Sequence, residues 1–295
     1  MTKITKQPGV WKTSRYALFH EDCLTGIPRR FKDVSIRPTL LVADFPHNTD
    51  QPYANYNDRR LPSEYLRLLK PRIEVAVKCL HVYGSVWFAV NDTNVSEVDI
   101  LCKELGLFPR KKVCWFLTFG QNNANGFTPS HITWLYYSKH RTVFTFNADD
   151  PKVRIPSARQ SVYKDKRANS KGRLPDDFWI LRPQEIPEAF HPLADCWYFP
   201  KVCGTFKAKV KGMPNQMPAL MMERIVRFCS NPGEIVLDPY SGTGQTGVGA
   251  LRCGRKYVGF DVSRQCLVES DKILRLVKEP VEDTEQLPLF DEKGK

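Results

Sequence analysis

Residues 233–263 read GEIVLDPYSGTGQTGVGALRCGRKYVGFDVS, two apolar runs on either side of a glycine-rich turn. A short apolar run, Ile235 to Leu237, ends in Asp238. The turn Ser241-Gly242-Thr243-Gly244 follows and opens a segment of helical spacing, after which a second apolar run closes on Asp261. Strand, glycine-rich turn, helix and strand in that order form the building unit of an α/β sheet. Glycine lets the backbone of such a turn approach a ligand where a side chain would collide. On its own the signal is weak, because dinucleotide binders share it and a tight turn needs glycine for its own reasons.

The same alternation extends upstream. Residues 17–24 (ALFHEDCL) read as a strand with a polar end, and 38–46 (PTLLVADFP) and 84–92 (GSVWFAVND) as buried strands. Between the last two lies a helix on which Leu66, Leu69, Ile73, Val77 and Leu80 recur at helical spacing. A second helix is predicted over 95–108, followed by strands over 111–119 and 131–139 that an Asn/Gly-rich loop separates. This order predicts a single α/β domain with a mostly parallel sheet and helices on both faces. The pattern breaks after about Thr145. Residues 151–173 carry Lys152, Arg154, Arg159, Lys164, Lys166, Arg167, Lys171 and Arg173 against one acid, Asp165, and Pro, Gly and Ser interrupt any long period. Helical spacing returns at 218–229, and the tail from Lys278 is acidic, with the composition of a disordered segment.

Composition narrows the classes of function. With 44 Lys and Arg against 32 Asp and Glu the chain carries a formal charge of +12, which favours a polyanionic partner. Nine cysteines are scattered, odd in number and without a CxxC pair, a pattern of reduced thiols rather than a disulfide frame or a zinc site, so no metal is expected. The first sixteen residues have no apolar core of a signal peptide, and no apolar run reaches the length of a membrane span. A cytoplasmic protein is the expectation.

Two acids refine the reading of the glycine turn. Asp238-Pro239 places a carboxylate where a phosphate binder would avoid one and a cationic amino-acid end would welcome it, and Asp261 stands where an acid accepts ribose hydroxyls. An adenosyl cofactor with an amino-acid tail fits better than a dinucleotide. At these residues the chain resembles the amino-directed DNA methyltransferases, which modify adenine N6 or cytosine N4 with S-adenosylmethionine. Residues 213–225, MPNQMPALMMERI, are similar to the segment that reads HPTQKP in that family, keeping Pro214, Gln216 and Pro218. Residues 18–24, LFHEDCL, resemble a strand end reading GDCL, with Glu21 in place of the glycine. The resemblance implies a Rossmann-like methyltransferase fold with an inserted target-recognition region. It implies cofactor contacts from Asp22, Gln216, Pro218, Asp238, Pro239, Ser241, Gly242, Thr243, Gly244, Thr246 and Asp261. The order, with the catalytic tetrapeptide first, a basic insertion next and the cofactor turn last, is that of the so-called beta class.

The tetrapeptide is Asp44-Phe45-Pro46-His47, where the family usually has DPPY, SPPY or NPPF. An exocyclic amine shares its lone pair with the base ring and is a poor nucleophile. In the family an acceptor side chain and the next backbone carbonyl each take one N–H, which aims the lone pair at the methyl group, and an aromatic residue stacks on the flipped base. Asp44 keeps the acceptor, Phe45 still offers a carbonyl, Pro46 keeps the φ constraint, and His47 offers a smaller ring for stacking. The acidic first residue leans toward adenine N6 over cytosine N4.

The implied organisation is an N-terminal tail over 1–15, a catalytic part over 16–145, a basic recognition insertion over 146–211, a cofactor-binding part over 212–277 and an acidic tail over 278–295. Double-stranded DNA is the implied partner, met by Arg154, Arg159, Gln160, Lys164, Lys166, Arg167, Lys171 and Arg173, since Lys and Arg that release counterions supply most nucleic-acid affinity. Gln286, Leu287, Leu289 and Phe290 resemble the pentapeptide by which bacterial repair proteins bind the sliding clamp; an apolar turn docked on the chain's own core is the alternative. The resembling class also admits a homodimer. Two other readings stay open: a non-catalytic DNA-binding relative, motivated by the altered tetrapeptide, and methylation of RNA or a protein glutamine, against which the basic insertion and the motif order weigh.

Overall fold

The structure, a computed structural model, describes residues 9–32, 35–51, 53, 56–116, 125, 129–155, 157–161, 163–179, 210, 216–278 and 280. The elements run β1 (Val10–Lys12), β2 (Tyr16–His20), α1 (Cys23–Arg30), β3 (Leu40–Asp44), α2 (Pro62–Cys79), β4 (Ser85–Val90), α3 (Val95–Glu104), β5 (Phe108–Phe116) and β6 (His131–Ser138). They continue with α4 (Ala158–Ser161), β7 (Phe178–Trp179), α5 (Ala219–Cys229), β8 (Ile235–Asp238), α6 (Gln245–Arg252), β9 (Lys256–Asp261) and α7 (Arg264–Leu276). The strands join one sheet in the order β1-β2-β9-β8-β3-β4-β6-β5-β7. From β2 to β4 every neighbouring pair is parallel, and antiparallel pairing is confined to β1 with β2 and to β6 with β4 and β5.

Alternation along the central strands explains the two layers of helices. On β3, Leu40 and Val42 belong to the core shared with α5, α6 and α7, while Leu41 and Ala43 belong to the core shared with α1, α2 and α3. Each is at most 1% exposed, and burying a side chain of this size contributes roughly 1.5–3 kcal/mol. A strand apolar on both faces must be covered on both, as the sequence predicts. On α2, Leu69, Ile73 and Val77 are buried, as is the C-cap Leu80, and Leu66 is half-buried, so the helical spacing read from the sequence is the face that packs.

Several boundaries differ from the sequence reading. Residues 10–12, assigned to a tail, form an edge strand on β2 with Val10 opposite Phe19. β2 stops at His20 because Asp22 caps α1, accepting from Leu24 N at 2.9 Å. α3 ends at Glu104, and Phe108, read as the end of that helix, begins β5. Five of the free cysteines (Cys23, Cys79, Cys102, Cys229, Cys253) are buried and Cys114 and Cys266 half-buried; Cys196 and Cys203 lie outside the described residues. Among the described residues no helix is long and apolar enough to cross a membrane.

The topology positions the site. From β3 the chain proceeds outward to β4, whereas from β8 it proceeds the other way to β9, so the boundary between β3 and β8 is where strand order reverses. In doubly wound sheets ligands bind outside the carboxyl ends of the strands at such a switch point. Asp44 ends β3 and Asp238 ends β8, one on each side of it.

Candidate active site

The glycine turn is held from beneath. Gly242 and Gly244 adopt φ of 50° and 75°, in the left-handed region that favours glycine. Their surroundings differ. A Cβ built on Gly244 would stand 2.1 Å from Ser270 Oγ of α7, so that glycine is required by helix packing. A Cβ on Gly242 would meet nothing nearer than Tyr240 O at 3.9 Å, so its backbone borders open space. Asp261 Oδ2 accepts from Gly242 N at 2.8 Å and Oδ1 accepts from Ser263 N at 2.7 Å, which ties the turn to the end of β9. A carboxylate has about four lone-pair sites, so Asp261 keeps capacity for two further donors. Burial pushes its carboxyl up, against the backbone N–H groups that favour the charge.

Asp238 is 3% exposed. Its Oδ1 accepts from Tyr240 N at 2.9 Å, and the Tyr257 hydroxyl lies 3.3 Å from its Oδ2 and 2.9 Å from Ser241 Oγ. Desolvation pushes Asp238 up to about 7, opposed by those hydrogen bonds and by Thr246. Thr246 Oγ1 approaches Met222 Sδ at 3.7 Å, and Gly249 lets α6 close on the backbone of Met222 and Glu223. α5 therefore starts beside the glycine turn, and with it Pro218, its N-cap, and Gln216, whose Oε1 accepts from Val210 N at 2.8 Å. Asp22 sits two residues beyond β2, in register with the end of β9 through the pair His20 and Asp261. Its second oxygen pairs with Arg72 at 2.6 Å.

On the far side of the switch point stands the tetrapeptide. Phe45 is 3% exposed and packs between Phe88 (centroids 4.9 Å apart) and Tyr240 (5.4 Å, edge to face), so it moors the catalytic turn to the residue before Ser241. Asp44 Oδ1 is buried and accepts no hydrogen bond among the described residues. His47 is 9% exposed, with Nε2 at 3.3 Å from Asp44 Oδ1. Its ring turns toward Asp44 rather than outward. The His47 carbonyl accepts from Asn91 Nδ2 at 3.0 Å and Asn94 Nδ2 at 3.4 Å. Just beyond, Asn48 and Asp50 take left-handed φ of 58° and 61°, which Asn and Asp tolerate better than most residues. Asp58, 3% exposed, accepts from the N–H groups of Asn48 (2.9 Å), Thr49 (3.0 Å) and Gln51 (3.1 Å), and Asn48 is paired to the backbone of Arg60 on both sides.

Residues of the basic segment divide into two groups. Ile155 and Arg173 exchange two backbone hydrogen bonds and close residues 155–173 into a loop. Arg154 spends its guanidinium on Ala148 O and Gly172 O, and Gln160 braces Ser157 N and Ser170 O, so both hold the loop together. Lys164, at φ 47°, and Lys166 are exposed beside Tyr163 and join none of the ion pairs among the described residues. Arg159 and Arg167 pair with Asp165, Lys171 with Asp149 and Arg173 with Asp176. The base of the segment is anchored by Asn147 to Arg227 O and Ser230 O, at the end of α5 remote from the glycine turn. Gln286, Leu287, Leu289 and Phe290 lie outside the described residues, as does most of 180–215.

Sequence reasoning missed Asp58, Asn91, Asn94, Tyr257 and Ser270, which support the site without forming part of a motif. Asn91 alone carried a signal, as a polar residue closing the apolar run of β4.

Comparison with known proteins fits this arrangement. A family profile described as DNA methylase matches residues 39–271. The type II methyltransferase M.HpaI of Haemophilus parainfluenzae is 26% identical over 227 residues, covering 77% of this chain and 64% of that protein. The DNA adenine methyltransferase YhdJ of Escherichia coli is 25% identical over 226 residues, covering 77% of this chain and 72% of that one. Among solved structures, the M1.HpyAVI–SAM complex superposes with a TM-score of 0.58 at 16% identity, over 88% of this chain and all of that one. At that identity the likeness speaks to fold. The chain thus spans just under two thirds of the M.HpaI length.

Proposed function

Because this chain belongs to the DNA methylase family, we propose that it transfers a methyl group from S-adenosylmethionine to the exocyclic amine of a base in double-stranded DNA, adenine N6 ahead of cytosine N4. One observation carries the reading. Asp44, a carboxylate with a buried oxygen that accepts no hydrogen bond among the described residues, ends β3 directly across the switch point from the glycine turn.

The residues fit the cofactor on their own chemistry. The backbone at Gly242 borders open space, Asp261 keeps lone pairs for hydroxyls, and Asp238 is a desolvated carboxyl that a neighbouring ammonium would return to its ionised form. Asp22, Gln216, Pro218, Pro239, Ser241, Thr243, Gly244 and Thr246 complete the holding set. Bound there, S-adenosylmethionine supplies a methyl group activated by its sulfonium.

The protein's part is positioning. Asp44 accepts one amine N–H and the Phe45 carbonyl the other, which draws the nitrogen toward tetrahedral geometry and aims its lone pair. The Phe45 packing and the Asp58 hydrogen bonds fix both acceptors before substrate arrives, and this intact scaffold favours catalysis over a non-catalytic DNA-binding relative. Reaching the amine requires the base to leave the helix. Lys164 and Lys166, with the other cations of the 155–173 loop, contact phosphates away from the reacting base. The carboxylate in first place and the adenine specificity of YhdJ both lean toward adenine. Incubation with labelled S-adenosylmethionine and unmethylated DNA, followed by nucleoside mass spectrometry, tests the proposal: N6-methyladenine supports it, N4-methylcytosine corrects the base, and no methylated base refutes it. The tail is proposed as a sliding-clamp ligand, and unchanged clamp binding in Phe290→Ala would refute that.

A further inference from the structure

We propose that His47, standing where the resembling tetrapeptides carry an aromatic residue, forms with Asp44 a carboxylate–imidazole pair that takes up the proton lost by the target amine; the inference rests on the methyltransferase reading above. The chemistry demands an acceptor. As the amine nitrogen bonds to the methyl carbon, the C–S bond breaks with its electron pair left on sulfur. The nitrogen then carries a positive charge until one of its two protons leaves. Asp44 already accepts one of those N–H groups in the proposed geometry, so the proton passes first to its carboxylate.

Its next position is given by the structure. His47 Nε2 lies 3.3 Å from Asp44 Oδ1, within ion-pair reach but without the alignment of a hydrogen bond. Both Asp44 Oδ1 and His47 Nδ1 are buried without a hydrogen-bond partner among the described residues. In the Nδ1–H tautomer Nε2 carries a lone pair, and a small reorientation of either side chain lets Nε2 and Oδ1 hold one proton between them. A ring kept only for stacking has no reason to turn toward a carboxylate, and neither phenylalanine nor tyrosine could accept the proton. The pair is held in place from the backbone, by Asn91 and Asn94 on the His47 carbonyl and by Asp58 on the Asn48 N–H.

Charged and titratable groups lie around the pair. Asp238 at the end of β8 and Tyr65 on α2 interact electrostatically with Asp44. Asp58 caps the following turn, and Asp92, after β4, lies 3.6 Å from His131 on β6. With the proton on His47, Asp44 returns to the carboxylate needed for the next turnover. The rate then depends on the imidazole being neutral when the reaction starts.

The test is single-turnover methyl transfer between pH 5.5 and 8.5 by the wild-type chain, His47→Asn and His47→Tyr. The wild-type rate is expected to fall severalfold from pH 8.5 to 5.5, as a proton placed on the ring beforehand removes the acceptor, and both variants are expected to lose that dependence. Asp238 is present in all three, so a dependence arising from its titration survives the substitutions and overturns the proposal. A wild-type rate flat across the range overturns it too. In cofactor-free protein, the ring ¹⁵N signals of His47 should move on Asp44→Asn; signals that stay put contradict the pair. Absence of any methyl transfer by the wild type overturns the methyltransferase reading together with this one, whereas transfer with an unaltered pH profile in His47→Asn overturns this one alone.

Discussion

Replacing Asp58 by alanine should cripple the enzyme without touching a reacting atom. Its carboxylate accepts three backbone N–H groups, from Asn48, Thr49 and Gln51, at 2.9, 3.0 and 3.1 Å, and these residues directly follow His47. A hydrogen bond to a charged group is worth about 1.5–3 kcal/mol, so the gross loss would be roughly 4–9 kcal/mol. Thr49 is exposed and Asn48 and Gln51 are half-buried, which lets water replace part of it. The net cost to stability is then about 2–4 kcal/mol. Asn48 and Asp50 sit at positive φ, a conformation that relaxes once its hydrogen bonds are gone, and that relaxation moves the Asp44 and Phe45 acceptors. A shift of about 1 Å at the reacting centre costs on the order of a hundredfold. Thermal unfolding, cofactor binding by calorimetry and single-turnover methyl transfer together check this. The expected pattern is a lower Tm, unchanged cofactor affinity and a rate down about a hundredfold. A rate within twofold of wild type in a folded Asp58→Ala protein would refute the claim that the pinned loop holds the catalytic turn.

Other perturbations separate the remaining parts of the account. Gly244→Ala combines φ 75° with a Cβ 2.1 Å from Ser270 Oγ, and should cost roughly 2–5 kcal/mol; a variant as stable as wild type in urea would show that α7 yields. Burial pushes Asp238 up to about 7, so the folded chain keeps a proton that the unfolded carboxyl, near 3.9, has already released. The stability this contributes is complete below about pH 4 and is lost as pH rises through about 7. The Tm of cofactor-free protein should therefore fall across that window and fall less in Asp238→Asn; equal slopes would contradict the assignment. Replacing both Lys164 and Lys166 by alanine should weaken DNA binding equally for all sequences and reduce the salt slope by about 2; an unchanged slope would remove the loop tip from the phosphate contacts.

The legible parts of this molecule are those fixed by local chemistry. The glycine turn could be read because Gly242 and Gly244 need positive φ, and Asp44 because an acid closing the apolar run of β3 has nowhere to point but the strand's end. Runs apolar on both faces announced a sheet covered by helices on both sides. Strand direction was not written locally: nothing in residues 108–116 or 131–138 distinguishes the antiparallel β5 and β6 from parallel strands, since pairing is settled by partners far away in sequence. The three-residue strand β1 was too short to show a period. Long-range service was equally hidden. Asp58 looks like any loop acid until its three N–H partners fold around it, and the hold of Arg154 on Ala148 O and Gly172 O is not visible from its place in a basic run.

In the proposed reaction Asp44, across the switch point from the glycine turn, holds an amine for methylation. Labelled methyl transfer from S-adenosylmethionine to unmethylated DNA, measured for wild type and Asp44→Ala alongside calorimetric cofactor binding, tests it most directly. Methylated base is expected from the wild type, with a loss of at least a hundredfold in Asp44→Ala and cofactor affinity equal in the two. Methylation undiminished in Asp44→Ala, or cofactor binding with no methylated base from the wild type on diverse DNA, would contradict it.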